Sequence, residues 1–247
     1  MEAAQKIRQA VGTVSSLREA GRHDPALAAA VASVKRFQAH RFAGTYSDLL
    51  ASRDYAAAAG FFLDELYSDK DYEERDAQFA RIAGAIERFF PADVVATSVA
   101  LAQLHALTED LDQAIARHWL ERAGEPPGES ARYVEAWRAV GRRQDRMSQL
   151  TTVLEIGREM ARLTRMPGLR LMLKMMRGPA SAAGLSSLQR FLETGFDTFA
   201  AMAKRPGGAE RFLETICERE TALIGMLFDT EPVACGTELA RTLGQAR

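Results

Sequence analysis

Phe61-Phe62-Leu63-Asp64-Glu65-Leu66-Tyr67-Ser68-Asp69-Lys70-Asp71-Tyr72-Glu73-Glu74-Arg75-Asp76 concentrates aromatic and acidic side chains more densely than any other part of the chain. Its order of residues is that of a helix end, a short polar turn and a helix start. Asp71 and Glu74 have the spacing of a capping box, with aspartate in place of serine or threonine. At about 100° per residue, Tyr72, Phe79, Ile82, Ala83, Ile86 and Phe90 then fall on one stripe, which predicts a helix ending just before Pro91.

The same periodicity extends in both directions. Asp24-Pro25 reads as an N-cap followed by proline at the first helical position. It opens a helix through Val31, Val34 and Phe37 toward Tyr46 and Leu50, with a bend at Gly44. Asp54 caps the helix that carries Phe61 to Tyr67. Beyond Pro91, a long helical pattern runs from Asp93 to Ala123 and a second from Ser130 to Thr164, separated by Gly124-Glu125-Pro126-Pro127-Gly128. Shorter helices follow at Leu169–Met176, Leu185–Ala203 and Ala209–Phe228. No Asn-Gly or Asp-Gly turn and no alternating apolar strand pattern occurs. The expected fold is all-α, a single bundle of eight or nine helices with two long central ones. It occupies residues 1–228, with a subdivision at 124–129 as the alternative and a loosely held tail at 229–247.

Composition narrows the function classes. A 247-residue chain with 47% hydrophobic and 26% charged residues has the profile of an ordinary globular protein. With 32 basic and 33 acidic side chains there is no global field to draw it to nucleic acid or an anionic membrane. No apolar run approaches the roughly 20 residues of a membrane span. Two cysteines, Cys217 and Cys235, are too few for a disulfide scaffold or a zinc site, and they fit a reducing cytoplasm. Phosphate-binding loops, nucleophile elbows, dinucleotide fingerprints and the His-Glu-x-x-His zinc motif are missing.

The residues that break the helical pattern are the candidates for a site. Arg75 falls within the stripe that follows Tyr72, and a buried guanidinium needs a carboxylate; Asp64, Glu65, Asp69 and Asp71 are near in sequence. Glu220 sits among Phe212, Leu213, Ile216, Leu223, Ile224 and Leu227, so a salt bridge to an arginine such as Arg75 or Arg158 is expected, with a neutral acid hydrogen-bonded to Gln144 or His105, or a ligand contact, as the alternatives. Gln144 and Arg158 are polar members of a heptad seam through Tyr133, Trp137, Val140, Met147, Thr151 and Leu154. His105 stands four residues before Glu109, a spacing that could hold a metal, but the Glu-x-x-His pairs of di-iron bundles are missing and no metal or other cofactor is expected.

The segment from Tyr55 through Phe61-Phe62-Leu63-Asp64-Glu65-Leu66-Tyr67 to Arg75-Asp76 is similar to the hallmark of a family of uncharacterised bacterial all-helical proteins. Phe191-Leu192-Glu193-x-Gly195-Phe196 and Phe212-Leu213-x-x-Ile216-x-x-Arg219-Glu220 resemble that family too. The resemblance spans roughly Val34 to Phe228. It implies a bacterial, soluble, single-domain protein and carries no activity onto any residue.

Two function classes stand open. One is an interaction module that recognises a protein partner or a small apolar ligand, with self-association, most simply as a homodimer, through Phe61, Met172 or Met176. Surplus apolar helix faces motivate it. The other is an enzyme or a metal- or haem-binding protein in which Arg75, Glu220, Gln144, His105 and Arg158 meet inside the bundle.

Overall fold

A computed structural model describes residues 2–67, 70, 72–121 and 128–246. Every regular element among them is α-helical, as the periodicity predicts, but there are thirteen helices rather than eight or nine. They are α1 (Ala3–His23), α2 (Pro25–Thr45), α3 (Ser47–Leu50), α4 (Ala56–Leu66), α5 (Glu73–Phe89), α6 (Ala92–Glu121) and α7 (Glu129–Val140). After these come α8 (Arg143–Leu163), α9 (Leu169–Met175), α10 (Arg177–Ala182), α11 (Ser186–Ala203), α12 (Gly208–Asp229) and α13 (Pro232–Leu243). The capping role expected of Asp71 and the Pro126-Pro127 break lie outside the described residues.

The extra helices have physical causes. The expected 130–164 helix is interrupted because Gly141 and Arg142 both take positive φ, 70° and 44°, which no α-helix can contain. Arg142 is held in that unfavourable region by ion pairs to Asp110 and Asp145, each at 2.6 Å. The expected tail is helix α13, started by the Glu231 carboxylate accepting from the Ala234 amide at 3.0 Å and by Pro232 behind it. Cys235 and Leu239 anchor it by burial. Helix α1 shows Ile7, Ala10, Val11 and Val14 at successive turns of one buried face.

The helices fall into two compact units that interleave along the chain. The first comprises Met1–Ser15, Lys70–Ala106 and Thr152–Glu214. Small residues dominate one cluster of its core, where Ala4, Ile7, Ala10, Ala83 and Ala102 let α1, α5 and α6 approach closely, with Phe79 and Val99 packed around them. The Glu87 carboxylate receives the Ala3 and Ala4 amides at 2.8 and 3.3 Å, so it answers both the orphan N–H groups and the positive end of α1.

The second unit comprises Ser16–Asp69, Leu107–Thr151 and Thr215–Arg247. Asp24 caps α2 as expected, accepting from the Ala26 and Leu27 amides at 3.1 Å. The centre of the unit is aromatic: Phe37 stacks on Tyr133 with centroids 4.5 Å apart, and Phe42 lies 4.4 Å from Tyr46 and 4.6 Å from Tyr67. Gly44 is a close-approach site rather than a bend. A Cβ there would stand 2.0 Å from the Thr242 carbonyl of α13.

Candidate functional site

A buried polar core in the second unit is the densest chemistry in the protein. The inner stripe of α2 runs Val34, Phe37, Gln38, Arg41 and Phe42, so the helix repeat itself carries an amide and a guanidinium inward. From the other elements come Asp112 of α6, Tyr133 and Trp137 of α7, Arg146 of α8 and Glu220 of α12. All are buried. Burying this many polar groups is tolerated only when they satisfy one another.

Glu220, only 8% exposed, accepts from Arg41 Nη1 at 2.5 Å and from the Tyr46 hydroxyl at 2.9 Å. A salt bridge is therefore present, but its cation is Arg41; neither Arg75 nor Arg158 serves. Burial acts to strip the proton from Arg41, yet the Glu220 carboxylate and the phenols of Tyr67 and Tyr46 reverse the effect and raise its pKa. Burial pushes the Tyr46 phenol far up, and the neighbouring Glu220 charge pushes it further. Next along α12, Arg219 grips Asp48 with both terminal nitrogens at 2.7 and 2.8 Å and donates to the Thr45 carbonyl at 2.8 Å. This fork fixes the rotation of α12 that aims Glu220 at Arg41.

A second set of groups lies beside the first. Gln38 donates to Asp112 at 2.9 Å, and Lys35 pairs with Glu109 at 2.5 Å. Burial raises the Asp112 pKa against the pull of Lys35 and Arg146. Burial likewise takes the Tyr133 phenol to about 12. Arg146 is pressed on the face of Trp137, its guanidinium carbon 4.1 Å from the ring centroid, and burial lowers its pKa.

The other sequence candidates sort differently. Gln144 and Arg158 are exposed, because the break at Gly141-Arg142 resets the phase of α8. Its buried face is Arg146, Leu150, Leu154, Gly157 and Ala161 instead. In the first unit His105 and Arg75 converge on Asp76. His105 Nε2 is 2.9 Å from one carboxylate oxygen and Arg75 Nε is 3.9 Å from the other. Arg75 also lies between the rings of Tyr72 and Phe191, 3.9 and 4.5 Å from their centroids. Glu109 is thus engaged by Lys35, and among the described residues no group of three or more His, Cys, Asp or Glu is placed to hold a metal ion. Of the interface candidates, Met176 is exposed, whereas Phe61 and Met172 are half-buried. Leu171 and Met175 of α9 are 63% and 69% exposed.

A family model built on a domain of unknown function, DUF8198, matches residues 17–234. The chain belongs to this family. The DUF8198 match takes in every residue of the buried polar core named above and all of α9 to α12. No curated protein and no solved structure matches the chain. Among the described residues of this DUF8198 protein, no helix is long and apolar enough to cross a membrane.

Proposed function

We propose that this DUF8198 protein is a helical interaction module and that its first partner is a second copy of itself. The observation that carries the reading is the apolar ridge of the first unit. Leu171, Met175 and Met176 stand exposed on and just after α9, and Leu192 stands exposed on α11, which packs against α9. Four large apolar side chains gathered on two contacting helices are a contact surface rather than a random scatter. Methionine suits it, because an unbranched side chain adapts to the shape it meets.

The charges around the ridge favour a copy of the same surface. Arg170 and Arg177 rise from α9 and α10, bound to Asp197 at 2.8 Å and Glu193 at 2.6 Å on α11. These pairs put both signs of charge on one patch, which suits an isologous interface, in which the same patch faces itself across a two-fold axis. A bacterial cytoplasm is the setting this reading assumes, and the free thiols Cys217 and Cys235 support it.

Sedimentation velocity at micromolar concentration tests the proposal. The expected result is a dimer that Met175→Glu dissociates with an unchanged circular dichroism spectrum. A monomeric wild type, or a Met175→Glu protein that remains dimeric, would overturn it.

A further inference from the structure

Arg146 differs from the other buried ions of the second unit in having a terminal nitrogen with nothing to bind. Its side chain is more than nine-tenths buried; Nη1 donates to Gln149 Oε1 at 3.2 Å, while Nη2 has no hydrogen-bond partner. The indole Nε1 of Trp137 is buried without a partner too. Among the described residues these are the only buried side-chain nitrogens or oxygens left in that state. Because the guanidinium rests on the indole, the two orphaned donors are neighbours.

Neither group can escape by giving up its proton: indole N–H is a donor only, and arginine stays charged in proteins. An acceptor is what both require, and beside a buried cation a negatively charged one is favoured. The carboxylates of this core are already engaged. Glu220 is held by Arg41 and Tyr46, Glu109 by Lys35, and Asp112 by Gln38. Tyr133 and Phe228, each with its ring centroid 5.8 Å from that of Trp137, give the spot apolar walls that strengthen any charge-assisted bond made there.

We infer that Arg146 Nη2 and Trp137 Nε1 form the head of a binding site for a small oxyanion, the carboxylate or phosphate group of a ligand, beside the joint between α7 and α8. The joint is built for such a role. Trp137 sits in the last turn of α7 and Arg146 in the first turns of α8, so Gly141 and Arg142 set the distance between the donors. Two donors on two helices can share the two oxygens of one carboxylate, or two of a phosphate.

Isothermal titration calorimetry of the full chain with sodium benzoate, and separately with inorganic phosphate, provides the test. The expected result is saturable binding of at least one probe at one site per chain, weakened tenfold or more by Arg146→Met and several-fold by Trp137→Phe. Trp137→Phe removes the indole N–H while leaving a smaller aromatic ring beneath the guanidinium, so, checked for an unchanged circular dichroism spectrum, it tests the site even where Arg146→Met fails to fold. Binding of benzoate alone assigns a carboxylate ligand, and binding of phosphate alone a phosphorylated one. The inference is overturned if neither probe binds saturably, or if Trp137→Phe binds as tightly as the wild type.

Discussion

Glu220→Gln should destabilise the protein through Arg41, not through any contact of its own. The substitution preserves shape and, with its amide oxygen where Oε1 now stands, can still accept both hydrogen bonds that reach Glu220 from Arg41 and Tyr46. It removes the charge. Arg41, 6% exposed, then remains a buried cation without its counter-ion. Breaking a buried pair by removing one partner costs about 3–5 kcal/mol, and the retained amide places the expected loss near the lower end, about 3 kcal/mol. A chain of this size loses roughly 2–4 °C of melting temperature per kcal/mol, so the melt should fall by about 6–12 °C. Tyr46→Phe removes one donor from a charged acceptor and should cost less, about 1.5–3 kcal/mol. Differential scanning calorimetry reads each value. The decisive protein is the double variant Arg41→Met with Glu220→Gln, which has no stranded charge. Its loss should be well below the sum of the two single losses, with a coupling of about 2 kcal/mol or more. A Glu220→Gln protein melting within about 1 °C of wild type, or a double variant that loses the full sum, would refute the reasoning.

Four further outcomes are expected. Gly44→Ala drives a methyl group into the Thr242 backbone, so it should lower the melting temperature and expose α13 to limited proteolysis; Gly12→Ala, in α1 with nothing within 4 Å, should instead stabilise by about 0.5–1 kcal/mol in urea denaturation. Asp112 has a folded pKa raised by burial, so its contribution to stability is complete below its unfolded value and fades as pH rises through the folded one. Asp112→Asn removes that fade, and melting curves from about pH 4 to about pH 7 should show the variant gaining on wild type as the pH rises. Arg142→Gly should not weaken the α7–α8 joint through backbone strain, since glycine accepts φ 44°, but it removes the ion pairs to Asp110 and Asp145; only a small loss, under about 1 kcal/mol, is expected by chemical denaturation for pairs this exposed.

What the sequence disclosed, and what it hid, follows from the range over which each determinant acts. Glu220 was legible because six apolar residues of its own helix define the stripe it interrupts. Arg41 was legible as an inward-facing cation, since it lies on the α2 face with Val34 and Phe37, although its partner is 179 residues away. Arg146 was hidden. Its burial depends on the phase of α8, and that phase depends on a positive φ at Arg142, a residue with no intrinsic preference for it. The conformation is held by Asp110, 32 residues earlier, and no local pattern carries that information. The glycines near α13 misled for the opposite reason. Gly44 and Gly236 have the local signature of a bend and a loose tail. Gly44 is where the Thr242 carbonyl meets α2, and Gly236 is where α13 lies against Ala131 of α7, 3.5 Å from where its Cβ would be. A glycine inside a helix therefore has two readings, a break or a contact. In this protein the sequence holds the clue that separates them, because Glu231-Pro232 repeats the acid-proline helix start of Asp24-Pro25, and a helix that begins so firmly needs a surface to lie on.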